Sequence, residues 1–444
     1  MLAEAWAALG GDPASLVAPA VTGGPGPFGG PLAVDELAAA SAGAALAAAA
    51  ELAAQRGAPM RRIELDASGL AAAFMSERHL RLDGAPPPPP FAPLSRFART
   101  ADGWIRLHAN YPHHRAALLT VIETVEDAAR WRGEELETAI VAAGGCAAAM
   151  RTPAQWAAHP QGAAVARLAL LDMERGPGGA PPLPALPGAA PPAAGVRVLD
   201  LTRVIAGPVG TRTLGVLGAD VLRIDPPQLP ELEQGWHDAG LGKRSALLDL
   251  RDAAGRDRLE ALLAQADVLV TGYRPGALAA FGLDAEAVAA RHPHLATVTL
   301  SAWGHVGPWA GRRGFDSLVQ SACGIAARTA APDGTPGVLP AQALDHATGY
   351  LVAAAALRAL TTRTRDGRTL HARLALARTA HWLMAQPPVD REPAPLDAQP
   401  FLQRLGSLMA VAPPGAPAGR PLRWAGPPPP YGRDEPAFAP RRLE

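Results

Sequence analysis

From Val196 to Ser301 the chain alternates short apolar runs with stretches of helix formers, and this alternation limits the fold more than any other feature. Strands are expected at Val196–Leu201, Val221–Ile224, Ser245–Leu250, Val268–Gly272 and Thr297–Ser301, with helices over Pro208–Leu217, Ala253–Ala264 and Ala285–Arg291. Short apolar strands separated by helical lengths predict a parallel sheet covered on both faces. Ligands bind such sheets beyond the C-terminal strand ends. The loops Thr202–Gly207, Asp225–Pro227, Tyr273–Gly276 and Ala302–Gly307 are therefore the candidate ligand surface.

The preceding part is built differently. Residues 1–85 read as an N-terminal arm and a degenerate helix unit opened by Asp35. The arm, 1–32, is Gly/Pro-rich after one short helix. An Ala/Leu helix then runs from Asp35, as cap, to about Ala54, followed by a strand at Arg62–Asp66 and a helix over Ala67–Met75. The five prolines Pro86–Pro90 make an extended connector. Residues 91–175 read as a small α/β domain. Its hairpin Phe97–His108 turns at Asp102-Gly103, and helices are expected at His114–Thr124, Glu134–Ala143 and Pro153–Ala158. Gly176–Ala194 is a Pro/Gly/Ala linker and marks the main boundary. The parallel-sheet domain spans 195–390, and 391–444 is a Pro-rich C-terminal tail. The expected fold class is α/β, a Rossmann-like parallel sheet domain plus a smaller α/β domain.

Charge excludes some functions. Lysine plus arginine equal aspartate plus glutamate at 41 each, so no net charge recruits nucleic acid or an anionic membrane. Lys243 is the only lysine. Cys146 and Cys323 lie far apart and give no metal-ligand spacing. The opening Met1-Leu-Ala-Glu-Ala-Trp lacks the pattern of a signal peptide, and with two cysteines the expected compartment is a reducing cytoplasm. The apolar run Ala38–Ala50 is short and alanine-rich for a membrane span, so no membrane partner is expected.

Asp345 opens the longest run of helix formers, after an irregular approach from Val338. As an N-cap it would accept the first-turn N–H groups and sit at the positive end of the helix dipole. Both effects favour its ionised, nucleophilic form. By itself such an aspartate only caps a helix. The unit recurs: Asp35 to Phe74-Met75 and Asp345 to Leu383-Met384 share the order Asp, alanine helix, turn, strand and helix. The two read as a duplication, with Asp35 restricted to capping.

Familiar cofactor signatures are missing. The turn Thr202-Arg-Val-Ile-Ala-Gly207-Pro208 lacks the dinucleotide glycine pattern, although Asp225 imitates a ribose-binding acid. No P-loop, His-x-x-x-His pair or Gly-x-Ser-x-Gly elbow occurs. His108, His113 and His114 cluster by the hairpin and are expected in surface or packing roles.

Ordered motifs, however, resemble the class III CoA-transferases of the CaiB/BaiF type, a family with relatives that racemise 2-methylacyl-CoAs. Val198-Leu-Asp-Leu-Thr-Arg-Val-Ile-Ala-Gly-Pro208 is similar to the family's first strand and turn, and Leu217-Gly-Ala-Asp-Val-Leu-Arg-Ile-Asp-Pro-Pro227 to its second. Gly242-Lys-Arg-Ser245 with Leu248-Asp-Leu-Arg251 is similar to the third block. Ala266-Asp-Val-Leu-Val-Thr-Gly-Tyr-Arg-Pro-Gly276 and Ser301-Ala-Trp-Gly-His-Val-Gly-Pro308 are similar to the fourth and fifth.

The resemblance implies that Asp345 is the catalytic carboxylate and that Val204, Leu248, Arg251, Tyr273 and Arg313 contact CoA. It implies acyl-CoA and carboxylic-acid substrates, coenzyme A as substrate with no permanently bound cofactor or metal, and a homodimer. The implied reaction moves CoA through an aspartyl anhydride and an aspartyl-CoA thioester. Two alternatives stand beside it, a 2-methylacyl-CoA racemase and a non-catalytic CoA-binding relative. Phe315 occupies the position where the racemases carry a histidine. Residues 1–175 resemble the family's later part, so the order of the chain is rearranged. The family's glycine-rich loop over the nucleophile is not evident.

Overall fold

The computed structural model describes residues 1–441 except 60, 61 and 418, so 418 and 442–444 of the expected tail and two positions of the expected N-terminal unit lie outside the described residues. Seven strands form the main sheet. They are β1 (Asp172–Gly178), β2 (Arg197–Leu201), β3 (Asp220–Asp225), β4 (Arg244–Leu247), β5 (Val268–Thr271), β6 (Ala296–Ser301) and β7 (Arg368–Ala375). The spatial order is β4-β3-β2-β5-β6-β7-β1. All neighbours are parallel except β1, which runs antiparallel to β7. The order reverses between β2 and β5, the doubly wound arrangement whose crevice beyond the strand ends receives ligands.

Alternation of side chains along the strands explains why the sheet is covered on both faces. Val198, Val221, Val268 and Val298 enter one core, while Leu199, Leu222 and Leu269 enter the other. The second core is completed by Leu259, Leu262 and Leu263 of the expected helix, here Ala253–Leu263. β4 ends at Leu247, short of the expected Leu250. The reason is a local turn in which the Asp249 carboxylate accepts the N–H of Arg251 at 3.0 Å.

Six helices position the site: α1 (Val34–Gln55), α2 (Pro112–Leu119), α3 (Ala206–Val216), α4 (Asp316–Ala322), α5 (Ala343–Asp366) and α6 (Leu376–Met384). Leu344, Leu351, Leu357 and Leu360 of α5 have no exposed surface. By transfer energy each contributes roughly 2 kcal/mol. α5 approaches α3 through paired glycines. A Cβ on Gly349 would lie 2.5 Å from the Ala206 carbonyl oxygen, and one on Gly210 2.7 Å from that of Gly349.

Both expected Asp units have the order helix, strand, helix, as α1, Ile63–Asp66 and Ala67–Ala73, and as α5, β7 and α6. Their strands lie in different sheets, Ile63–Asp66 pairing with Ala20–Thr22 and Ala416–Pro417. α1 is long and apolar enough by length and composition to cross a membrane. Most of it is buried against α5 in the main core, where Glu51 pairs with Arg358.

The small α/β part has the expected hairpin, Phe97–Thr100 with Gly103–Leu107, joined by Ala147–Ala149. The Pro-rich C-terminal segment folds back on the main sheet. Asp434 accepts the Ser245 N–H at 2.7 Å and returns its own N–H to the Ser245 carbonyl at 2.8 Å, covering the open edge of β4. Under the sheet's switch point Lys243 is fully buried, with its amine 2.9 Å from the Asp200 carboxylate. Burial pulls that amine down to about 8, against the attraction of Asp200. Asp200 also accepts the Thr211 hydroxyl at 2.7 Å and the Thr202 N–H at 3.0 Å, which fixes the loop after β2.

Candidate active site

A cavity of about 590 Å³ opens beyond the C-terminal ends of the parallel strands. It collects Val204, Leu248, Arg251, Tyr273, Arg313 and Asp345, residues spread over more than a hundred positions of sequence. The loops after β2, β4, β5 and β6 and the first turn of α5 deliver them. Val204 holds a left-handed backbone, φ 70°, which a β-branched residue adopts only under strain. Such strain costs on the order of 1–3 kcal/mol and collects at sites of function. The Val204 N–H is held 3.2 Å from the Glu231 carboxylate.

Five arginines line the cavity: Arg203, Arg251, Arg274, Arg312 and Arg313. Arg203 is committed to the Leu229 and Pro230 carbonyls and lies 3.6 Å from Glu231. Arg312 pairs with Glu137 at 2.9 Å. Arg251 is exposed and pairs only with its neighbour Asp249, Arg313 reaches a single carbonyl, that of Gly144, and Arg274 makes no ion pair among the described residues. These three guanidiniums can serve an anion without breaking a buried pair. Asp225, the imitation of a ribose acid, is consumed by Arg223 at 2.7 Å. Glu231, next to it, is desolvated, yet Arg223, Arg203 and the Tyr111 hydroxyl hold its pKa down at about 2.

Asp345 differs from the expectation in two ways. α5 begins at Ala343, so Asp345 sits inside its first turn and makes no cap. The cap comes from Asp316 at the start of α4, whose carboxylate accepts the Asp345 N–H at 3.0 Å. Nor do its surroundings favour the ionised form. Burial first, then the neighbouring charges of Asp316 and Glu77, push its pKa well above the carboxylate range. Desolvation and two like charges outweigh the helix dipole. Asp316 is itself raised by burial, with hydrogen bonds from Gln320 and the α5 amides working against the rise. Glu77 is half-buried and desolvated too, but its contact with His346, 3.2 Å away, keeps it below its ordinary value. Asp35 likewise lies inside its helix rather than capping it. Its carboxylate accepts the Phe28 N–H at 3.3 Å and pairs with Arg391, and burial raises it to about 6.

The histidine cluster was legible only as a cluster. His113 and His114 line the cavity, and His108 stacks on Phe315 with ring centres 3.6 Å apart. His114 is 4 % exposed, and neither of its ring nitrogens has a hydrogen-bond partner. Nothing in the pattern Tyr111-Pro-His-His114 told a surface histidine from one facing a cavity, because the small domain and the sheet meet only in the folded chain. Among the described residues no group of histidine, cysteine and carboxylate side chains could hold a metal, and both cysteines are buried and unpaired.

Comparison with known proteins falls on the same stretch. The model of CoA-transferase family III matches residues 193–415. A Mycobacterium tuberculosis protein described as a probable fatty acyl-CoA transferase, Rv3272, is 33% identical over 191 residues, 40% of this chain and 48% of that protein. The succinate–glutarate CoA-transferase of Agrobacterium fabrum is 31% identical over 209 residues, 43% of this chain and 52% of that protein. The crystal structure of Rv3272 aligns with a TM-score of 0.43 at 32% identity, over 44% of this chain and 57% of that one. The chain thus spans about half the length of the curated relatives it matches. With half of its residues under the family model, a half that holds six of the seven strands of the sheet and Asp345, the chain belongs to CoA-transferase family III.

Proposed function

We propose that the protein transfers CoA between an acyl-CoA and a carboxylic acid, with Asp345 as the nucleophile. The observation that carries the reading is the single cavity that brings Asp345 together with the family-like loops after four parallel strands. The exposed guanidiniums of Arg251, Arg274 and Arg313 suit the phosphates of CoA, and the ring of Tyr273 suits its apolar parts. Ionised Asp345 attacks the thioester carbonyl, forming a mixed anhydride and releasing CoA thiolate. The thiolate attacks the aspartyl carbonyl, giving an aspartyl-CoA thioester and the free donor acid. The acceptor carboxylate repeats both exchanges in reverse, leaving a new acyl-CoA and free Asp345. Two copies of the chain would assemble as a homodimer.

The raised pKa of Asp345 and Asp316 favours a second reading, proton transfer at C2 of an acyl-CoA by this carboxylate pair. Phe315 supplies no base for it. Calorimetry with CoA and several acyl-CoAs should give binding that Arg251→Ala or Tyr273→Ala weakens; absence of binding to all of them rejects the CoA reading. Hydroxylamine added during turnover should modify the Asp345 peptide and spare that of Asp35. Rapid deuterium exchange at C2, without exchange of CoA between labelled acid and thioester, would instead select the proton-transfer reading.

A further inference from the structure

The chemistry just described leaves one part of the cavity unused. α2 begins at Pro112, after Tyr111 as its N-cap residue, and has no side-chain cap. Its first-turn amides have no intrahelical partner, and the dipole places positive potential there. Tyr111, His113 and His114, all of this turn, line the cavity. His114 adds an independent sign of a missing ligand. It is nearly fully buried, it lines the cavity, and both ring nitrogens are without partners. A buried imidazole left so carries a desolvation penalty that a ligand atom would offset. The nearby charges are Arg203 and Arg313, with His113 beside them; burial first, and then these groups, lower the His114 pKa to about 3. The ring is thus neutral, with one N–H to donate and one nitrogen to accept. The carboxylate that faces this turn, Glu231, is already paired with Tyr111, Arg203 and Arg223.

The position favours the reacting end of the ligand over the CoA phosphates. The His114 ring is 5.7 Å from that of Phe315, and the next residue, Asp316, holds the Asp345 amide. Of the three arginines offered to the CoA phosphates, Arg251 and Arg274 follow other strands, β4 and β5, and Arg313 alone adjoins this turn. We propose that the first turn of α2, with the His114 ring, is a carboxylate site that seats the acid substrate next to Asp345. The identification of that acid as the acceptor rests on the transferase reading; the carboxylate site itself does not.

The test titrates the full chain with propanoate and succinate, with and without saturating CoA, using propanamide as the neutral control and inorganic phosphate as the rival anion. Both carboxylates should bind and propanamide should not. His114→Phe, which keeps the ring volume and removes both nitrogens, should weaken the carboxylates by about tenfold or more while leaving the CoA isotherm in place. His114→Gln, which keeps an N–H, should stay within about threefold of wild type. If His114→Phe does not fold, the ring ¹⁵N signals of wild-type His114 must still shift with propanoate. Unchanged carboxylate affinity in the folded Phe variant, equal binding of propanamide, or an unshifted ring signal overturns the proposal. So does a variant that loses phosphate and CoA binding instead, since that would assign the turn to CoA. Failure of wild type to bind CoA would reject the transferase reading, while the carboxylate titrations still decide this one.

Discussion

At the scale of single residues, Asp345 carries a conflict between reactivity and stability. Its carboxyl is raised by burial and by Asp316 and Glu77, so the folded chain holds a proton that the unfolded chain releases near its ordinary pKa of about 3.9. The folded state binds more protons between the two values, so stability falls as pH rises through that window and stays lower above it. Asp345→Asn removes the buried charge and keeps the shape. It should stabilise the fold by about 1–3 kcal/mol at pH 8 and be nearly neutral below about pH 4, measured by urea unfolding at both pH values. Transfer should vanish in the same variant. Wild-type transfer should rise with pH as Asp345 ionises. A variant less stable than wild type at pH 8 would show that the carboxylate is held by contacts stronger than its repulsions.

At the scale of elements, the placement of Asp345 depends on how closely α5 lies on α3. Gly349→Ala gains helix propensity of about 1 kcal/mol but sets a methyl 2.5 Å from the Ala206 carbonyl. The backbone cannot yield as a side chain would, so the clash should win, with a net loss of about 1–3 kcal/mol in denaturant unfolding and a fall in transfer rate. The strands of the main sheet were legible because runs such as Val268-Leu-Val-Thr271 are apolar on both faces and bounded by turns. β1 was not. Its Asp172–Arg175 reads as the end of the small domain and its Gly176-Pro-Gly178 as linker, and only its place at the edge of the sheet, against β7, tolerates Gly and Pro in a strand. The loops that make the cavity were legible from the ends of their strands. The ionisation of Asp345 was not, because Asp316 and Glu77 reach it from distant segments, and the same holds for His114.

The whole molecule is closed by segments that start far from the sheet. The N-terminal unit lays α1 along α5 and brings Glu77 to His346, the small domain brings α2 to the cavity, and the C-terminal segment covers β4. In this closed body the chain's single side-chain amine, Lys243, is sealed under the loop after β2. A protein proposed to handle activated acyl groups thus presents no lysine for them to modify. Acetylation with an N-hydroxysuccinimide ester should leave the Lys243 peptide unlabelled in the native protein and label it once urea opens the sheet, as read by peptide mass. One amine then reports unfolding by covalent mark, and native labelling at Lys243 would mean that the sheet's switch point opens on its own.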